Sequence, residues 1–295
     1  MKNPVVICFG EILWDMLPTG KIAGGAPMNV AYQIQNMGLN ARMISRVGSD
    51  DLGWSLLSFL VAKGVSTDLV QTDAECPTGV VHVALDDEGI ATYDIVQPSA
   101  WDHISLNEDM LQIVRDADAL VFGSLSCRSE TSRNTLFSLL DVAPLRVFDV
   151  NLRAPFYEPI LLERLMSKAH IVKVNDLELD ELASWYQISG QEPEKMAGLR
   201  ARFGLERLIV TKGANGAACL SDQGFCTVPG LSVTVQDTVG SGDAFLAGFL
   251  RFHLSGEDDL ACLKFGNALG ALTATKAGGT PVILPEEMAS LRASP

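Results

Sequence analysis

Asp237-Thr238-Val239-Gly240-Ser241-Gly242-Asp243, followed by Ala244-Phe245-Leu246-Ala247-Gly248-Phe249-Leu250, is the stretch on which the fold and chemistry of this chain turn. Its second half is apolar on every face, which predicts a buried helix. Gly240 to Asp243 then sits at the N-terminus of that helix, where unpaired N–H groups converge and the dipole favours negative charge. Glycines there let an anion come close to the backbone. An anion cradle with a carboxylate, Asp243, in its rim is what phosphoryl transfer to a hydroxyl requires. The ordinary alternative is a tight strand-to-helix turn with a capping aspartate. Phe245 stands where the dinucleotide fingerprint needs its third glycine. Neither a Walker A motif nor a His-Arg-Asp catalytic loop is present.

Further motifs precede this stretch. Gly24-Gly25-Ala26-Pro27-Met28-Asn29-Val30-Ala31 is a second glycine pair, with an amide opening an amphipathic helix. Gly10-Glu11-Ile12-Leu13-Trp14-Asp15 lies before it; Asp149-Val150-Asn151-Leu152-Arg153, Asn175-Asp176-Leu177-Glu178 and Thr211-Lys212-Gly213 lie after it. In this order, over nearly the whole chain, the set resembles the ribokinase-like, or PfkB, family of carbohydrate kinases, and its opening resembles the fructokinase branch.

Composition constrains partners. A formal net charge of −14 argues against nucleic acid, because a phosphate backbone attracts basic surfaces. Any phosphate site must therefore be built locally. The six cysteines form no C-x-x-C pair, and the four histidines do not cluster near them. That pattern predicts reduced thiols in a cytoplasmic protein with no structural zinc. The apolar run Val5 to Phe9 is too short for a signal peptide and fits a buried first strand. No run approaches the ~18 apolar residues of a membrane span.

Strand-like runs at Val5 to Phe9, Ala119 to Phe122, Val147 to Val150, Ile171 to Val174 and Leu208 to Thr211 alternate with helical patterns. The helical patterns include Thr131 to Leu140, Ile160 to Ser167 and Leu177 to Trp185. Such alternation predicts an α/β fold with a mainly parallel sheet and helices on both faces. Ligands then bind at the carboxyl ends of the strands, where Asn151, Arg153, Asn175, Glu178, Lys212 and Gly213 fall. Thr78 to Leu85 and Ala91 to Val96 alternate with period 2 around the turn-rich Asp86-Asp87-Glu88-Gly89, which predicts a β-hairpin. An edge hairpin on the main sheet is the plain reading.

The resemblance implies more. It makes the hairpin part of a β-sheet lid over a three-layer sandwich, with 12–22 and 78–96 as lid and 1–11, 23–77 and 97–295 as core. It implies an ATP-dependent sugar kinase, most of all a fructokinase making fructose 6-phosphate. A kinase for ribose or 2-keto-3-deoxygluconate, or a non-catalytic sugar-binding regulator, stands as the alternative. Asp243 would be the general base, and the N–H groups of Ser241, Gly242 and Asp243, after Gly240, the anion hole. The family often has alanine where Ser241 stands; serine keeps the backbone donors. Asp15, Gly25 and Asn29 would hold the sugar, although Asn29 could be only a helix cap. Arg153 would contact phosphate or sugar, and Trp101 or Phe9 could pack on a sugar face.

Asn175 and Glu178 would order Mg2+ and its waters near the ATP phosphates, or else serve as a capping pair. Lys212 and Gly213 would border the nucleotide, with Asn267 on the adenine side. A potassium site near Asp237 and Gly278 is left open. A lid exposing one apolar face, with Val81, Val83, Tyr93 and Ile95, further predicts a two-fold homodimer through the hairpin.

Overall fold

The computed structural model describes residues 3–18, 20–85, 91–284, 286 and 287. Strand β1 (Val5–Phe9) leads into β2 (Leu13–Leu17), β3 (Gly20–Gly24) and helix α1 (Ala26–Asn36). Next come β4 (Asn40–Gly48), α2 (Asp51–Ala62), β5 (Val70–Asp73) and the hairpin β6 (Gly79–Leu85) and β7 (Ala91–Ile95). Alternation resumes with α3 (Glu108–Arg115), β8 (Ala119–Gly123), α4 (Glu130–Leu140), β9 (Arg146–Asp149), α5 (Pro159–Lys168) and β10 (Ile171–Asn175). Helices α6 (Asp176–Trp185) and α7 (Glu192–Phe203) precede β11 (Arg207–Thr211), β12 (Ala217–Ser221) and β13 (Gly224–Val228). Two helices follow, α8 (Ser241–His253) and α9 (Asp259–Ala274).

Among the described residues the main sheet has nine strands, ordered β13-β12-β11-β10-β9-β8-β1-β4-β5. Pairing is parallel throughout except at the β11–β12 and β12–β13 edge. Side chains alternate between two apolar cores, one on each face, as period 2 demands. In β1, Ile7 and Phe9 enter one core while Val6 and Cys8 enter the other. The second core lies under α1 and α8, and Ala244 to Leu250 of α8 are buried without a break. The order doubles back at β1, whose neighbours are β4 and β8, so a crevice opens beyond its carboxyl end.

The predicted hairpin forms β6 and β7, but it belongs to a separate four-stranded sheet, β3-β2-β6-β7, and not to the edge of the main one. Its tetrapeptide turn, Asp86 to Gly89, lies outside the described residues. Register places Asp15, Ile22, Val81, Val83, Tyr93 and Ile95 on one face. Trp14 points to the other, where its ring meets Phe59 of α2 edge-on at 6.4 Å and its indole N–H donates to Leu52 O at 3.0 Å. The small sheet is therefore packed on α2 by one face. Its other face carries Asp15 together with the exposed Tyr93 and Ile22.

All six cysteines are free thiols. Among the described residues no helix is long and apolar enough to cross a membrane. Trp101 and Phe9, read as sugar-stacking candidates, are fully buried in the core, where packing drives large apolar rings.

Candidate active site

Helix α8 begins where the sequence places it. Gly240 is its N-cap, with φ of 75°, and a Cβ there would lie 2.5 Å from Gly279 Cα. Only glycine meets both the left-handed backbone and that approach. One correction concerns the donors: Ser241 N–H is spent on Thr238 O at 3.2 Å. Gly242 and Asp243 have no backbone partner for theirs among the described residues, so these two donors face the site. The Ser241 hydroxyl is also without a hydrogen-bond partner among the described residues.

These groups form the floor of a cleft of ≈ 790 Å³ lined by Asn175, Gly213, Ser241, Gly242, Phe245 and Asn267, with Val233, Val235, Ala271 and Ala274 as apolar wall. Asn267 spends its amide N–H on Pro229 O at 2.9 Å. Gly213 lines the cleft, whereas the Lys212 ammonium is turned to Glu192 at 3.0 Å and does not. Asn175 and Glu178 form a true capping box. Glu178 N–H donates to Asn175 Oδ1 and Asn175 N–H donates to Glu178 Oε2, each at 2.8 Å. Glu178 Oε1 also accepts from Leu152 N–H at 2.8 Å, which ties α6 to the loop after β9. Burial raises the Glu178 pKa against these bonds and against Lys173.

The other end of the site is made of charge. Asn29 is not a cap: α1 starts at Ala26 after N-cap Gly25, and Asn29 lies in its first turn. From there Asn29 Nδ2 donates to Asp243 Oδ2 at 2.8 Å, joining the two glycine motifs across the fold. Gly25 is held close, since a Cβ on it would lie 2.3 Å from Glu11 O. Asp15, at the root of the small sheet, rests its Oδ2 against Gly24. Asp243 is half-buried, and protein surrounds its carboxyl closely enough that burial, then the Asp149 charge, pushes it up to about 6. Asn29, Lys173 and Arg153 oppose that rise. Burial likewise lifts Asp15 to about 6, with Arg153 opposing.

Sequence reading missed Glu11. It is 3 % exposed, its Oε2 has no hydrogen-bond partner among the described residues, and burial raises its carboxyl to about 7, with Arg153 opposing and Asp243 adding. An acid directly after an apolar first strand was the available signal. It also missed Lys173, an ammonium inside a central strand that bonds both Asp149 carboxylate oxygens at 2.8 Å. Exposed Arg153 makes no ion pair among the described residues, and its charge acts on Glu11, Asp15 and Asp243. Asp237 ties its own loop to the later one, accepting from Val239 N–H at 2.9 Å and Gly278 N–H at 2.8 Å.

An apolar cleft with amide donors, joined to a polar end with orphaned oxygens, can hold a nucleotide in line with a hydroxylated acceptor. The chain is similar to several known proteins. The probable chloroplastic fructokinase-6 of Arabidopsis thaliana is 31% identical over 97% of this chain and 81% of its own length. The crystal structure of a fructokinase with bound ATP from Xylella fastidiosa superposes with a TM-score of 0.86 at 27% identity, covering 98% of each chain. A Vibrio cholerae O395 fructokinase in a fructose-, ADP- and calcium-bound form gives 0.83 at 26% identity, covering 99% of this chain and 98% of that one. Residues 11–286 match the description pfkB family carbohydrate kinase, so this sugar kinase belongs to the pfkB family.

Proposed function

We propose that the chain is an ATP-dependent fructokinase, transferring the γ-phosphoryl group to the 6-hydroxyl of D-fructose with Asp243 as general base. The observation that carries this reading is the Asn29–Asp243 bond at the start of α8. It fixes one carboxylate oxygen and leaves the other free to accept a substrate O–H beside the Gly242 and Asp243 amides. A carboxyl lifted to about 6 is ionised at neutral pH and is a better proton acceptor than an ordinary aspartate. Asp15, Gly25 and Asn29 would take the remaining sugar hydroxyls.

ATP would lie in the cleft, its phosphates toward Gly242 and its base toward Asn267. Among the described residues no cluster of three acidic, His or Cys side chains could cage a metal, and Glu178 already accepts two N–H bonds. Magnesium fits as an ion carried by the phosphates and waters, those waters ordered by Glu178 and Asn175. Bound there, it supplies charge neutralisation on the phosphates. Potassium would be held by backbone oxygens of the loops around Asp237 and Gly278, which Asp237 ties together by accepting from Val239 and Gly278 N–H.

Arg153 favours a second reading, a sugar acid such as 2-keto-3-deoxygluconate, whose carboxylate its exposed guanidinium would pair. The three carboxyls of Glu11, Asp15 and Asp243 beside it weigh against an anionic substrate. An ADP-release assay over fructose, ribose, adenosine and 2-keto-3-deoxygluconate decides. Fructose is expected to have the highest kcat/KM, and any other sugar exceeding it overturns the substrate assignment.

The small sheet, with 12–22 and 78–96 as its unit and 1–11, 23–77 and 97–295 as the core, would act as a lid. Tyr93 is 57% and Ile22 39% exposed on the face that carries Asp15. Burying them against a second lid would give a homodimer that covers the sugar end. Light scattering of a cytoplasmic preparation is expected to show a dimer at micromolar concentration; a monomer, or a contact that avoids the hairpin, contradicts it.

A further inference from the structure

One stripe of the main sheet changes character along its length. On the face covered by α8, Val147 of β9 and Ile171 of β10 lie in the apolar core with Phe245 and Leu246. Two residues further along each strand, on that same face, stand Asp149 and Lys173, which are register partners in the parallel pair. Another two residues along β10, Asn175 lines the cleft. The ion pair therefore lies between the core and the phosphate end of the site. Both members are nearly sealed, with Lys173 6% and Asp149 4% exposed. The ammonium bonds both carboxylate oxygens at 2.8 Å and comes within 3.3 Å of where a Cβ on Gly242 would stand.

A buried ion pair is poor evidence for stability, since apolar residues of similar volume usually serve as well or better. This one occupies two positions in central strands where the neighbours are Val147, Val172 and Val174, and an apolar pair would continue the core. Moreover, its positive end lies under the positive end of α8, an arrangement that isolated packing disfavours and an incoming anion reverses. Burial works against the charge of Lys173, but Asp149 outweighs it and holds the ammonium above the usual lysine range. It stays charged at every working pH.

Resting on the assignment of Asp243 as base, we infer that the Lys173–Asp149 pair is part of the phosphoryl-transfer apparatus, with Lys173 a positioning residue beneath Gly242. Its charge faces the first turn of α8 from below, where the transferred group would meet the Gly242 amide from above. It also sets the charge state of Asp243. The groups that act on Asp243 are Asp149 at the end of β9, Lys173 in β10, Arg153 after β9, Asn29 in α1 and Glu11 after β1. Lys173 favours the carboxylate and Asp149 opposes it. Loss of the ammonium therefore moves the acid limb of the activity profile to higher pH, and loss of the Asp149 charge moves it to lower pH.

The test is kcat/KM against pH for Lys173→Met, Asp149→Asn and the double variant Lys173→Met/Asp149→Leu, with Asp243→Asn alongside. Lys173→Met is expected to lose about 10–10²-fold in kcat with the KM for fructose little changed. Its acid limb should move up by about half a unit or more, and that of Asp149→Asn down. If Lys173→Met fails to fold, the double variant, which leaves no unpaired charge, is expected to keep the thermal midpoint of the unmodified protein and still turn over slowly. A folded double variant with kcat within threefold of the unmodified protein overturns the inference, as do acid limbs that do not move. Retained turnover in Asp243→Asn would instead overturn the base assignment on which it rests.

Discussion

The two ends of the active site are built from different materials. At the end proposed for the nucleotide the donors are the Gly242 and Asp243 amides, and the wall includes Val233, Val235, Ala271 and Ala274. At the end proposed for the sugar, Glu11, Asp15, Asp243 and Arg153 bring side-chain charge from β2, α8 and the loops after β1 and β9. A site made of backbone depends on conformation, so it should fail through strain. A site made of buried charge depends on mutual electrostatics, so it should fail through protonation and should trade stability for function.

The largest effect is expected at the meeting point. Asp243→Ala should lower turnover by about 10²–10⁴-fold while fructose and an ATP analogue bind nearly as before. Steady-state rates with calorimetric titrations check this, and turnover within tenfold of the unmodified protein would break the comparison at its centre.

Gly240→Ala probes the backbone end alone. The new Cβ would meet Gly279 Cα at 2.5 Å on a backbone with positive φ, at a cost of about 1–3 kcal/mol. ATP affinity should fall more than fructose affinity; equal losses in both would mean that the ends are not separable.

The charged end makes a prediction about pH. Asp243 has its pKa raised by folding, so the folded chain holds this proton more tightly than the unfolded chain. Its ionisation therefore weakens the empty fold as pH rises from the unfolded value of 3.8 through about 6. Asp243→Asn should stabilise the ligand-free protein by about 1–3 kcal/mol at pH 8, with the gain fading below pH 5. Thermal midpoints at both pH values test the sign; a variant less stable at pH 8 contradicts it.

The smallest effect belongs to Asn175→Ala, which removes one half of the box that starts α6. A loss of about 1 kcal/mol in denaturant unfolding is expected. A far larger loss would show that the link from Glu178 to Leu152 depends on that cap as well.

The same contrast explains what could be read from the sequence. Runs such as Val5 to Phe9 and Ala119 to Phe122 mark the parallel strands, because buried strands need unbroken apolar segments. Glycine pairs and the Asn175–Glu178 spacing mark the helix starts, because those geometries admit few residue types. Strands β12 and β13 were less legible, since Ala217 to Val228 carries small and polar residues at an antiparallel edge. Glu11 and Lys173 escaped notice because a single charge inside an apolar run has no spacing to identify it. Only the fold reveals that Lys173 meets Asp149, and that Asn29 reaches Asp243 from 214 residues away.

Product identification tests the central claim most directly. The unmodified protein and Asp243→Ala would each be incubated with ATP, magnesium and D-fructose, and the product followed by phosphorus NMR. The account predicts fructose 6-phosphate from the unmodified protein and at most about a hundredth of that rate from the variant. Phosphate on another hydroxyl, or product formed by the variant within tenfold of the normal rate, would contradict it.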